Sequence, residues 1–296
     1  VQCLAWLPWL LWLYDVRSRW RVPGMAAIIA LQFLAGHTQS VFISLVGLGS
    51  YAVFPALWRM MGRAGTWRDG VRPLLVVAVA AAWGGALAAV QLLPTFELSR
   101  WSMRSGGLPY KEAVSFSLRP ELLGRALLPG WEASLFPEFV AHVGVIGLGL
   151  ALVGIWRTGR ARRHGVLFLA ALGLFLALGG FNPVYFVLFK AVPGFDLFRA
   201  PARWLALYAL GIAGLAGLGL DTLVIGSQPP RRARGWVGGS LIGLIALVIL
   251  SQWLGGDPDP DLAPPLRLWS VVGWGGAVLA LGAVWHFMGR RGATYL

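Results

Sequence analysis

Apolar stretches long enough, or nearly long enough, to cross a lipid bilayer recur along the whole chain, and arginine-rich connections separate every second pair. A helix rises about 1.5 Å per residue, so roughly 20 apolar residues traverse the ~30 Å hydrocarbon core. Such stretches lie near 1–15, 23–36, 40–60, 73–94, 140–156, 165–181, 203–225, 236–254 and 269–288. A backbone group in hydrocarbon has no water to bond, so each stretch is expected to be helical. The fold class that follows is an all-α integral membrane protein, a polytopic helical bundle of about nine transmembrane helices over residues 1–296. The first stretch reads as N-terminally truncated, since Val1 opens inside an apolar run, and the chain is expected to be a fragment. The second is short, and either crosses or dips in with residues 36–39.

Charge supports this count. Only 12% of residues are charged while 57% are hydrophobic, and a soluble domain carries about a quarter charged residues. The connections 15–21, 59–72, 157–163, 231–234 and 290–291 hold 16 of the 25 basic residues and alternate with the others. Short Lys/Arg-rich loops stay in the cytoplasm, which places 95–139 and 182–202 on the extracytoplasmic side. Nine of the 12 acidic residues fall on that outer side. The net charge of +13 then resides wholly in the inner loops, and no nucleic-acid partner is needed to explain it. A single cysteine, Cys3, excludes an intrachain disulfide and a cysteine-based zinc cluster. No P-loop, HExxH or GxSxG motif occurs.

Candidate chemistry concentrates on the outer side. The connection 95–139 is the longest, keeps seven aromatic residues among alternating apolar and charged ones, and is expected to be ordered with short interfacial helices. Within it Glu97, Arg100 and Arg104 stand at i, i+3 and i+7, one face of a helix. A carboxylate beside two guanidiniums can take a phosphate and a sugar hydroxyl together; a surface salt bridge is the plainer reading. His37 and Gln39 lie in Gly36-His37-Thr38-Gln39 between two apolar runs, either lining a cavity, where His37 relays a proton or holds a phosphate oxygen, or forming a hydrated turn. Asp196, Arg199 and Arg203 stack at i, i+3, i+7 if helical, against the inner bias of arginine, which points to an anionic ligand; the alternative is an Asp196–Arg199 pair capping the seventh span. Glu138 and His142, at i and i+4, are too few for a metal site.

Four segments resemble the bacterial YfhO-type membrane proteins, members of the GT-C-like glycosyltransferase group: LQFLAGHTQ (31–39), LLPTFELSRWSMRSGGLPYKEAVSFSL (92–118), LLPG followed by EFVAHVGVIGL (127–148), and VPGFDLFRAPARW (192–204). The resemblance covers most of 20–225. It implies a helical bundle with extracytoplasmic loops that transfers a sugar from a polyprenyl-phosphate donor to a cell-envelope acceptor. A carboxylate would act as base on the acceptor hydroxyl, and arginines, with or without a divalent cation, would stabilise the leaving lipid phosphate. Glu97 and His37 are the catalytic candidates. Gln39, Arg100, Arg104, Tyr110, Glu138, His142, Asp196, Arg199 and Arg203 are the substrate-binding ones, with no metal ligand assigned. Such enzymes place a key acid in the first outer loop, which this chain is expected to lack. A transporter or flippase for lipid-linked or anionic solutes is the alternative, and a scaffold subunit the third reading. The clustering of charge at span ends and the lack of an internal repeat favour the enzyme.

Overall fold

A computed structural model describes residues 2–16, 18–62, 66, 68–101, 106–129, 136–157, 160–224, 238–239, 242–243, 245–246 and 268–291. Its helices are α1 (Leu7–Asp15), α2 (Arg21–Leu34), α3 (Thr38–Met61), α4 (Arg68–Leu87), α5 (Ala89–Arg100), α6 (Tyr110–Ala113), α7 (Leu123–Leu127), α8 (Gly144–Arg157), α9 (Arg160–Ala177), α10 (Pro183–Ala191), α11 (Leu205–Val224) and α12 (Leu268–Arg291). Single 3-10 turns join several of them, and no strand occurs among the described residues.

By length and composition four segments are able to cross a membrane: Thr38–Met61, Arg68–Leu87, Pro137–Ile155 and Pro201–Thr222. Arg21–Leu34, His164–Ala177 and Trp269–Ala280 are apolar but shorter. The 14 residues of α2 reach only about 21 Å, short of a hydrocarbon core. The stretch expected at 236–254 lies mostly outside the described residues. The stretch expected at 73–94 is two helices: α4 starts earlier, the backbone turns at Ala88, and α5 continues to Arg100. Pro94 lies inside α5 without ending it, at the cost of the hydrogen bond its N–H would have made to the Val90 carbonyl.

The helices form two groups. α2 packs on α4 with α1 and α3 beside them; α11 packs on α8 and α9, with α12 against α8. The α3–α9 contact joins the groups. Glycines set the closest approach. A Cβ on Gly154 of α8 would lie 2.1 Å from the Leu215 carbonyl oxygen, and one on Gly219 of α11 would lie 1.9 Å from that of Leu150. Backbones in such contact gain dispersion and weak C–H···O bonds, which hold helices together where burial from water cannot. Larger residues there would force the helices apart at about 1–3 kcal/mol each. In the other group, buried Gln32 donates to the Cys3 carbonyl (2.7 Å) and Ser44 Oγ (3.0 Å), tying α2 to the N-terminal turn and α3. The outward side of α4 is bare and apolar, with Leu74, Leu75, Val79, Trp83 and Leu87 exposed.

The connections sort into two ends. At one, Tyr51 donates to Asp15 (3.0 Å), Trp58 stacks on His164, and Arg21 lies over Tyr14. At the other, backbone hydrogen bonds join segments remote in sequence: Leu108 to Asp196, Ala200 to Ser115, Ala202 to Phe116, Leu118 to Ala177 and Ala141 to Ala126. Of the basic segments expected on the inner side, the described part of 15–21 lies at the first end, as do Trp58 and His164, which adjoin 59–72 and 157–163; 231–234 lies outside the described residues. The described parts of 95–139 and 182–202, with residues 36–40, meet at the second.

Candidate functional site

The second end is organised by where three elements begin. α2 stops at Leu34 because Gly36, at φ +80°, reverses the chain. His37 then caps α3: its Nδ1 accepts from Ser40 N–H at 3.2 Å, with Ser40 Oγ 2.9 Å away. Residue 39 is consequently fixed in the first turn of α3. Pro201 starts the turn that leads into α11, where proline's fixed φ and missing N–H suit a helix start. Ala200 before it is left-handed at φ +63°. The third element is the 3-10 turn Pro137–Phe139, which leads through an extended stretch into α8.

Side chains from these three elements meet. Arg203 Nε and Nη2 donate to Glu138 Oε1 at 2.7 and 2.5 Å. Arg203 Nη1 donates to Gln39 Oε1, and Gln39 Nε2 donates to the Arg199 carbonyl at 2.6 Å. A hydrogen bond to a charged group is worth about 1.5–3 kcal/mol when screened from water. The Arg203 and Glu138 side chains are 29% and 24% exposed, so solvent reduces that to about 1–2 kcal/mol. Glu138 Oε2 accepts no hydrogen bond among the described residues. The starts of α3 and α11 both lie here, and their positive dipole ends favour negative charge. His37 is held below its ordinary value of 6.5, first by partial burial and then by the Arg203 charge, with Glu138 opposing. A neutral ring accepting at Nδ1 carries its proton on Nε2.

The chain matches no protein-family model, no curated protein and no solved structure.

The corner therefore gathers four of the residues singled out in the sequence, Gln39, Glu138, Arg203 and the Arg199 backbone, with His37 adjoining. It does so by a route other than helical spacing. Residues 193–200 are turns and extended chain, so Asp196, Arg199 and Arg203 do not share a helical face. Asp196 Oδ1 accepts from Gly194 N–H at 3.2 Å and its carbonyl from Leu108 at 2.7 Å. Asp196 and Arg199 form no ion pair, so no Asp196–Arg199 pair caps α11. The Arg199 guanidinium is exposed and unpartnered among the described residues. Nor do Glu138 and His142 pair at i, i+4: α8 begins only at Gly144, and His142 is exposed on the extended stretch before it.

Glu97 and Arg100 sit on α5, which has no buried residue. Arg100 lies 4.9 Å over the Phe96 ring, and Glu97 has no ion pair among the described residues. Arg104 lies outside the described residues. Tyr110 meets Phe186 and Phe189 edge-on at 5.0 and 5.2 Å, packing α6 on α10. Among the described residues no three of His, Cys, Asp and Glu gather as a metal site.

Two features escaped the sequence. Arg125 on α7 is buried, at 4% exposed, although nothing in Leu122–Leu128 sets it apart from a solvated arginine. Phe116 is left-handed at φ +57°. A bulky residue pays about 1–3 kcal/mol to be held so, and no local sequence signal reports it.

Proposed function

We propose that the chain is a membrane-embedded, glycosyltransferase-like protein that transfers a sugar from a polyprenyl-phosphate donor to a cell-envelope acceptor on the outer face. The observation that carries this reading is the clamped carboxylate: Arg203 holds one oxygen of Glu138, the other accepts no hydrogen bond among the described residues, and the exposed Arg199 joins the same network through its carbonyl. A carboxylate so held stays ionised and oriented to accept a proton from an acceptor hydroxyl, while a guanidinium nearby takes the charge that develops on a departing phosphate. Glu138 is preferred to Glu97 for the acidic role because only Glu138 is held in place. The polar end is assigned to the extracytoplasmic side because arginine-rich connections lie at the other. The count of about nine spans and the YfhO-type resemblance of the segments 31–39, 92–118, 127–148 and 192–204 support the same reading, with α10 and α5 at the outer interface.

The bond that forms joins the acceptor oxygen to the anomeric carbon. The bond that breaks joins that carbon to the phosphate oxygen, which leaves with the electron pair as polyprenyl phosphate. The acceptor proton passes to Glu138.

Labelled-sugar transfer from a polyprenyl-phosphate donor in membranes tests this. Glu138→Gln should reduce transfer at least a hundredfold at equal protein level. Undiminished transfer would sink the role of Glu138. Transport of the lipid-linked sugar without transfer by the unaltered protein would replace the reading by the transporter, to which the buried Gln32–Ser44 pair in the apolar interior lends its one observation.

A further inference from the structure

Beside the Glu138–Arg203 pair lies a bare aromatic surface. The rings of Phe116 and Phe136 stack with centroids 5.2 Å apart and planes 23° from parallel, and Phe139 meets Phe136 edge-on at 5.7 Å. Phe116 is 48% and Phe136 46% exposed. Two other exposed phenylalanines near this end carry a cation: Arg100 lies over Phe96 and Lys190 over Phe186. Among the described residues no cation lies over Phe116 or Phe136.

The position of this surface is fixed by the same backbone that fixes the charges. The Phe116 carbonyl accepts from Ala202 N–H at 3.3 Å, and the Ser115 carbonyl from Ala200 N–H at 3.1 Å. These bonds place Phe116 against the segment that carries Arg199 and Arg203. Phe136 stands two residues before Glu138, immediately before the turn Pro137–Phe139. Among the described residues the two non-glycine residues with left-handed backbone, Phe116 and Ala200, belong to this hydrogen-bonded corner. Strained residues persist where the surroundings over-determine them, and they collect at ligand sites. Here the strain holds a large ring half open at the polar end, where burial would be the favoured state.

We propose that Phe116 and Phe136 form the platform for a hexose ring, with Glu138 Oε2 at the ring's hydroxyl edge, where one lone pair takes a ring hydroxyl and the other is left for the incoming acceptor hydroxyl, and with Arg199 taking an attached phosphate. A pyranose presents axial C–H groups on one face and hydroxyls at its edge. The face matches the negative π-surface of an aromatic ring. The edge matches a carboxylate oxygen that accepts no hydrogen bond among the described residues. An alkyl chain would use the platform but offers no hydroxyl to Glu138 Oε2, and a cationic peptide would be repelled by Arg199. This inference rests on the reading above and adds to it which part of the donor the corner recognises.

The test is binding of two probes to the purified protein in nanodiscs: polyprenyl phosphate, and the same lipid phosphate bearing a glucosyl group. The unaltered protein should bind the glucosylated probe at least tenfold more tightly. Phe116→Leu and Phe136→Leu should each erase that preference while keeping affinity for the bare phosphate, which also shows that the variants are folded. Phe116→Trp should keep the preference. Equal affinity of the unaltered protein for both probes would overturn the platform and leave the phosphate reading standing. So would a preference that survives both leucine substitutions. Binding of neither probe would overturn the platform together with the reading it rests on.

Discussion

Glu97 with Arg100 and Glu138 with Arg203 are the same two residue types, both from the connection expected on the outer side or its neighbour, and they have opposite fates. The first pair is three residues apart on one helix face. The second is separated by 65 residues, yet its charged atoms meet at 2.5 Å. Spacing brings Glu97 and Arg100 near each other, but α5 has no buried residue, so water solvates each charge and nothing fixes their geometry. Around Glu138 and Arg203, α3, α11 and the turn at 137–139 supply partners and remove part of the water. Proximity in sequence is cheap and unspecific; a site needs surrounding elements to fix its donors and acceptors.

The largest contrast should come from stability. Arg203→Ala leaves the half-buried Glu138 and the buried Gln39 without their donor and should cost about 2 kcal/mol, read as a lower thermal midpoint in detergent. Arg100→Ala should stay within about 0.5 kcal/mol. Equal shifts would erase the distinction between the two pairs. A double-mutant cycle sharpens it. Glu138→Gln with Arg203→Ala should show coupling of about 1–2 kcal/mol, and Glu97→Gln with Arg100→Ala coupling near zero. Arg199→Ala should leave stability within about 0.5 kcal/mol, since only its backbone carbonyl is used by Gln39.

The smallest effect is in pH dependence. His37 is held below 6.5 in the folded protein, so the unfolded chain binds more protons between the folded value and 6.5. Its contribution to stability is present above 6.5 and is lost as pH falls below it. His37→Asn keeps a capping side chain and should flatten this decline in thermal midpoint on acidification. An unchanged decline would remove His37 from the corner's electrostatics.

Much of the fold was legible in the sequence because apolar length and arginine position are both local. Helices occur at the eight expected stretches that the described residues cover, and the described connections gather into two ends. Boundaries were less so: α5 runs through Pro94 to Arg100, where composition alone argued for a loop. Of the site, Gln39, Glu138, Arg203 and His37 were legible as polar groups near span ends. Their partnership was not. It depends on Ala200 turning left-handed, which breaks the expected helical stack of Asp196, Arg199 and Arg203 and lets Arg203 reach Glu138. It depends too on α8 starting at Gly144, which leaves Glu138 off any face shared with His142. Alanine and phenylalanine carry no signal for a left-handed backbone, so Ala200 and Phe116 emerge only from tertiary hydrogen bonds.

One measurement bears most directly on where this molecule does its chemistry: the affinity of the purified protein for polyprenyl phosphate, compared between Arg199→Ala and Arg100→Ala. The expected result is a loss of at least tenfold with Arg199→Ala, about 1.4 kcal/mol, and affinity unchanged with Arg100→Ala. A loss confined to Arg100→Ala would move the site to α5 and contradict the assignment of the Glu138–Arg203 corner.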